Sequence, residues 1–556
     1  MTRAVGVACA AAGAGILAAK FFLAGRIGIN WDEFYFLSHV YALGRGELDL
    51  LLQGAYTHAF TWITATGGHE VDQVVRLRLV MCTLLVLSAV LLYALARLWA
   101  SRAAALVAVL AFLSTWPVIK HGGSFRADAL ILPLTLAAFY FALRGNMRVR
   151  GSTTIAGACI GIAFVVSVKA VLLLPALVLM AVLPDLVRDG TNRLGLASRI
   201  RNVIGFFVFA TVVAVALLAL HSTQIAAAIE PAGSFASRTL QVTILDVPFA
   251  PRSDYLLQLV SEDGLYWLAL LAGLLVAVRQ RSYAAAASIL ALTPVLFYRN
   301  AFPYYYPVML APPSILIAIA VDELLARSSR RGRAAATFTV AAGCVALMAG
   351  AWDSVMTLRF DRQLGQRAVV AAVHRIFPEP VPYLDHSGMI ASFPKVNFFM
   401  SGWGVEAYLN RGTDFMPEAL ARRCPPLLVV NHPVLTPRTL LYRGLRETDR
   451  QLLETHYVDY WGPVRLAGAE AELGDAGPSS VSVPCAGDYR LESEAPVLID
   501  GRSYGNGAIL TLESKREYHV APAEPNSLPQ RLRLRWAGVH EPPNEPPPKP
   551  ALYDAL

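Results

Sequence analysis

Charge is scarce in this chain. Asp, Glu, Lys and Arg make up 16% of its 556 residues, where a soluble protein of this length carries about a quarter. Cysteine is scarce too: there are six, none in a close metal-type spacing, which argues against a zinc site. Cys9, Cys82, Cys159 and Cys344 stand inside apolar blocks, as small hydrophobes do. No basic stretch is interleaved with aromatics, so the net charge of +8 does not point to nucleic acid. No internal repeat is present.

In place of charge the chain has apolar sequence, 55% hydrophobic with a mean hydropathy of +0.48. The apolar residues come in blocks near 4–25, 75–98, 104–119, 128–143, 153–168, 170–184, 202–221, 264–278, 284–298, 304–321 and 334–351. The expected class is an α-helical polytopic membrane protein of about eleven spans. Several blocks fall short of the ~20 residues of a normal crossing, so tilted or re-entrant segments are expected. The pair around Ser167–Val168–Lys169 also reads as one broken hairpin. The first block reads as an uncleaved anchor rather than a signal peptide, since no convincing cleavage site precedes Lys20.

Arginine sets the orientation. With the N-terminus inside, every cytoplasmic connection is marked: Arg97 and Arg102; Arg144, Arg148 and Arg150; Arg188, Arg193, Arg199 and Arg201; Arg279 and Arg281; Arg327, Arg330, Arg331 and Arg333. The opposite face carries single cations, among them Lys120, Arg126, Lys169, Arg238, Arg252 and Arg299. An odd number of spans then leaves the C-terminal region outside, periplasmic if the membrane is a bacterial inner membrane.

Three domains follow: a membrane domain over 1–351, a mixed α/β extracytoplasmic domain over 352–536, and a Pro-rich tail over 537–556 expected to be flexible. In the second, "AVVAAVHRIF" reads as a helix, while "VPYLDHSGMIASF" and "PPLLVVNHP" read as buried strands with loop endings. "GDYRLES", "PVLIDG" and "AILTLES" read as short strands. Cys424 and Cys485 lie here, and an extracytoplasmic setting allows either a disulfide between them or two free thiols.

The chemistry concentrates in the outer loops. The first contains "NWDEFYF", with Asp32 and Glu33 beside a hydrophobic segment, and later His58, His69, Glu70 and Asp72. The second is "IKHGGSFRADAL", with Lys120, His121, Arg126 and Asp128; Lys169 follows, and then "YRNAFPYYYP". Cations near a lipid boundary suit a lipid-borne phosphate, and a carboxylate on the same side suits a base that takes a proton from a hydroxyl. Each group has a plainer reading. Asp32–Glu33 can cap a juxtamembrane helix, Arg126–Asp128 can be an internal ion pair, Lys169 can snorkel, and Tyr304–Tyr305 can belong to an aromatic belt. His58 and His69 read as loop histidines without a neighbouring His partner.

The ordered set "WDE" followed by aromatics, "FRADALILPLTLA", the lone Lys169 and "PYYYPVMLAPP" resembles the GT-C superfamily of polytopic membrane glycosyltransferases. The likeness is to the protein O-mannosyltransferase and aminoarabinose transferase type, and it covers about residues 1–351. It implies transfer of a sugar from a polyprenyl-phosphate donor to a lipid, glycan or protein acceptor on the outer face, with inversion. By resemblance Asp32 is the general base and Glu33 its support. Arg126, Lys169, Arg299, Tyr304 and Tyr305 then hold the donor phosphate and lipid, and Asp128, His58, Lys120 and His121 support them. An ordinary Asp, with a pKa near ~3.9, works as such a base through positioning or a raised pKa. No cofactor is required by the reading; a divalent metal held by Asp32 and another acid remains open, without a clear ligand set. The competing readings are a lipid-linked sugar transporter and a non-catalytic glycan-binding membrane protein. Transporters gather charge at mid-membrane, and few ionisable residues lie at the centres of these blocks.

Overall fold

A computed structural model of the protein describes residues 2–144, 150–183, 196–226, 241–326, 330–473, 479–524, 530–548 and 552–553. Arg148, Arg188, Arg193, Arg238 and Arg327 of the orientation argument lie outside the described residues. The chain forms two compact units. One comprises Met1–Ile27, Leu43–Ala65 and Val75–Asp361, the other Gly28–Ala42, Thr66–Val74 and Arg362–Leu556. The boundary therefore departs from a single cut after residue 351. Parts of the connection between the first two apolar blocks, Asp32 and Glu33 included, belong to the unit that holds the C-terminal strands.

The first unit is helical, and each of the eleven apolar blocks falls on a helical segment. Among the described residues, five helices are long and apolar enough to cross a membrane, or up to seven if each of two bent pairs is one span. Four further apolar helices run 10–17 residues, too short for a normal crossing. The protein is thus an integral membrane protein. The bends have local causes. Ser253–Glu262 and Gly264–Arg279 meet at 93° around Asp263, whose carboxylate accepts the Trp116 backbone N–H at 3.1 Å. Pro303–Leu310 and Ser314–Ala326 meet at 48°, where Pro312 and Pro313 remove two helix donors.

Glycine lets two helices close up. A Cβ on Gly157 would lie 2.9 Å from Phe206 O and one on Gly161 2.6 Å from Ala210 O. The G-x-x-x-G stripe of Arg150–Val166 thus lies against the backbone of Leu196–Ser222, the small-residue contact that brings helices together where lipid gives no hydrophobic drive.

The second unit is α/β, as the short strand signals predict. Its seven-stranded sheet runs Tyr383–Leu384, Leu427–Val429, Val464–Leu473, Gln530–Trp536, Gly487–Ser493, Ile509–Leu512, with Tyr457–Trp461 also on Val464–Leu473. A four-stranded sheet orders Ser479–Ser482, Glu517–Pro522, Val497–Ile499 and Arg502–Tyr504. Tyr383–Leu384 and Leu427–Val429 pair in parallel, so both strands end at the same edge. Their loop endings, "DHSG" and "NHP", therefore come together there. Within the Pro-rich tail, Leu552 is buried and the Tyr553 hydroxyl is hydrogen-bonded. A leucine and a tyrosine near the end of a proline-rich stretch supply the apolar area and the donor that proline lacks.

Candidate active site

The acidic pair starts the helix Trp31–Gly44. Asn30, not Asp32, caps it: Asn30 Oδ1 accepts the Asp32 backbone N–H at 3.0 Å. Glu33 reaches back, its Oε2 accepting the Asn30 backbone N–H at 3.0 Å. This reciprocal arrangement is a capping box with Asn in place of Ser or Thr. It assigns the two acids different work. Glu33 is 0% exposed and closes the box, whereas Asp32 is partly exposed at the second helical position.

The turn is held from outside as well. Gln366 clamps Ile29, accepting its N–H at 2.9 Å and donating to its carbonyl at 2.7 Å. The Trp31 ring meets His386 edge-on at 5.7 Å and His432 at 5.8 Å. These two histidines come from the adjoining loop endings of the parallel strand pair. Beneath them Asp385 accepts the N–H groups of Gly388 and Met389 at 2.7 and 2.8 Å and the Asn431 side chain at 3.0 Å.

The cations gather in the other unit. Arg126 precedes the helix Ala127–Arg144, whose first turn holds Asp128. Lys169 follows the break at Ser167, where Arg150–Val166 gives way to a short 3₁₀ turn. Lys169 Nζ donates to Asp128 Oδ1 at 3.0 Å, and Arg126 Nε lies 3.6 Å from Asp128 Oδ2. The Arg126 guanidinium stands 3.4 Å from the centre of the Tyr304 ring, with Lys169 Nζ 5.1 Å from the same ring. Tyr305 donates its hydroxyl to Lys169 O at 3.0 Å. Arg126 and Asp128 are 6% and 3% exposed. Two cations around one carboxylate leave this trio, in which Lys169 is partly exposed, with a net positive charge on the aromatic platform of "PYYYP".

The remaining predicted residues fall nearby or elsewhere in this unit. His121 is edge-on to Tyr304 at 6.4 Å and to Trp116 at 5.8 Å, and Lys120 Nζ stands 4.7 Å over the Trp116 ring. Arg299 is tied through its backbone, donating to Thr243 O at 3.0 Å and accepting from Arg252 Nε at 3.3 Å. Arg252 adds a second cation here. Its guanidinium lies 4.5 Å from the Phe302 ring, which stacks on Tyr304 at 5.6 Å. His58 is not without a partner: its Nε2 is 2.8 Å from His221 Nδ1. His221 Nε2 in turn donates to Leu50 O at 2.8 Å.

In the second unit, His69, Glu70 and His374 present potential metal ligand atoms within 4.8 Å of one another. This group does not include Asp32. Both Glu70 oxygens are engaged, Oε2 by His374 at 2.9 Å and Oε1 by the Ser392 hydroxyl at 2.6 Å. His69 stacks on His374 at 4.6 Å. Cys424 and Cys485 form a disulfide.

Comparison with known proteins bears on the fold. Residues 33–231 match the family model of dolichyl-phosphate-mannose-protein mannosyltransferase. ArnT from Cupriavidus metallidurans bound to undecaprenyl phosphate superposes with a TM-score of 0.53 at 16% identity, over 73% of this chain and 88% of that one. The chain has the GT-C fold. The apo oligosaccharyltransferase of Archaeoglobus fulgidus shares this GT-C fold, with a TM-score of 0.51 at 13% identity over 93% of this chain and 75% of that one. A comparison with curated proteins gave no match. The sequence signal for His386, His432 and Gln366 was slight: polar residues at the ends of two buried strands, and one Gln in a helix.

Proposed function

We propose that the protein is a membrane glycosyltransferase that takes a sugar from a polyprenyl-phosphate donor and transfers it, with inversion, to a hydroxyl- or amine-bearing lipid, glycan or protein. The observation that carries this reading is the Arg126–Asp128–Lys169 trio, its arginine and aspartate buried, against Tyr304 and Tyr305. A polyprenyl phosphate leaves with growing negative charge, and fixed cations in a dry setting stabilise that charge most. Arg126 offers a planar fork and Lys169 a compact ammonium, while Asp128 holds both in place. Arg252 and Arg299 extend the positive edge beside Phe302. Asp32, the acid left partly exposed by the capping box, removes the acceptor proton. The neighbour bound to undecaprenyl phosphate supports a lipid-linked donor. The arginine-rich connections and the Cys424–Cys485 disulfide support a bacterial inner membrane with this chemistry on its outer face.

The test is sugar transfer in detergent from polyprenyl-phosphate donors carrying mannose or aminoarabinose. Asp32→Asn should lower kcat by about 10²–10⁴-fold with little change in donor KM. Lys169→Met should weaken retention of the polyprenyl phosphate itself. Undiminished transfer by Asp32→Asn removes Asp32 from the mechanism, and unchanged donor retention by Lys169→Met removes the trio.

A further inference from the structure

Residues 552 and 553 reach the segment that bears Asp32. Leu552 O accepts the Gln366 side-chain N–H at 2.8 Å, and Gln366 is the residue that clamps Ile29 on both its backbone groups. The Tyr553 ring meets Trp31 at 6.0 Å and Phe34 at 6.3 Å, edge-on to both. Its hydroxyl lies 2.7 Å from Ser387 Oγ and accepts from Asn431 Nδ2 at 3.0 Å. Asn431 also accepts the His386 N–H at 3.1 Å and donates to Asp385. Tyr553 thus joins three things: the aromatic flanks of Asp32, the loop 385–389, and the loop after Leu427–Val429.

This arrangement does more than bury surface. Trp31 and Phe34 bracket Asp32 and Glu33 in the sequence, and Tyr553 touches both aromatics. With Gln366 holding Ile29 from behind, the turn from Ile29 to Phe34 is fixed at its start and on its aromatic face. The capping box fixes its interior. A partly exposed carboxylate at the second position of a helix owes its direction to the helix start, so whatever fixes that start fixes the carboxylate.

We propose that Leu552 and Tyr553 form a latch on the Asp32 turn, and that Tyr553 is a positioning residue for Asp32. The inference rests on the reading of Asp32 as the base. It assigns the proline-rich segment before them, 537–548, the role of a tether that delivers these two residues.

Two variants separate the parts of the latch. Tyr553→Phe removes the hydroxyl bonds to Ser387 and Asn431 and keeps the ring on Trp31 and Phe34; Tyr553→Ala removes both. In full-length protein in detergent, with polyprenyl-phosphate mannose or aminoarabinose as donor, Tyr553→Ala should lower kcat by about ten- to a hundredfold, the loss expected of a misplaced group. Its donor KM should stay unchanged. Tyr553→Phe should recover most of that rate. Adding Tyr553→Ala to Asp32→Asn should cost nothing further, because the base it positions is gone. Amide exchange at Asp32 and Glu33 should quicken in Tyr553→Ala while the strands Val464–Leu473 and Gln530–Trp536 keep their protection, which separates a loosened turn from an unfolded unit. Full kcat in Tyr553→Ala, or unchanged exchange at residues 30–33, overturns the latch. An Asp32→Asn enzyme with full activity overturns instead the assignment of the base.

Discussion

His386 and His432 stack at 3.8 Å with their rings 23° apart, and both lie against Trp31. Burial is the main cause of their low basicity: His386 is pushed well below the ordinary range, with His432 and Lys395 adding to the effect, and His432 falls to about 4. A value lowered on folding means the unfolded chain binds protons first. The stability these neutral rings contribute is complete above pH ~6.5 and is lost as pH falls from there through about 4. The thermal midpoint of the detergent-solubilised protein should therefore drop across that window, and His432→Gln should flatten the drop. A variant as acid-sensitive as the wild type would place the sensitivity elsewhere. At this scale the sequence exposed the acids but not their division of labour. "NWDE" reads with Asp32–Glu33 as the cap, whereas the bonds from Asp32 N to Asn30 Oδ1 and from Asn30 N to Glu33 put Asn30 in that place.

Helix contacts depend on which side chains are missing. Gly161 brings Arg150–Val166 so close to Leu196–Ser222 that a Cβ would come within 2.6 Å of Ala210 O, a backbone atom that cannot rotate away. Gly205, on the second of these helices, has nothing within 4 Å of its added Cβ. Gly161→Leu should thus destabilise the protein by about 1–3 kcal/mol through overpacking, while Gly205→Leu should be neutral or slightly stabilising through helix propensity. Thermal unfolding of the two variants side by side checks this, and equal midpoints would contradict the close approach. The eleven helical blocks were legible because hydropathy marks any segment that avoids water. Their crossing status was less legible, because a bend such as that at Pro312–Pro313 divides a block without altering its hydropathy.

For the whole molecule, the disulfide offers the broadest test. Cys424 and Cys485 are 61 residues apart, and closing a loop of that length stabilises a domain by typically about 2–4 kcal/mol. Reductant, or Cys485→Ser, should lower the melting temperature of the detergent-solubilised protein. No shift would show that the bond contributes nothing to stability. By itself the sequence determined the membrane class, the helical blocks, the strand-bearing C-terminal region and a short list of acids and cations in the connections between blocks. Each of these follows from local hydropathy, spacing or charge. The tertiary structure alone decided that residues 28–42 and 66–74 cluster with the C-terminal strands, and that Arg126, Asp128 and Lys169 meet over Tyr304. It also decided that Tyr553 reaches Trp31, more than five hundred residues away in the chain. Such pairings depend on how strands and helices bring distant loops to one edge, and no local pattern records them.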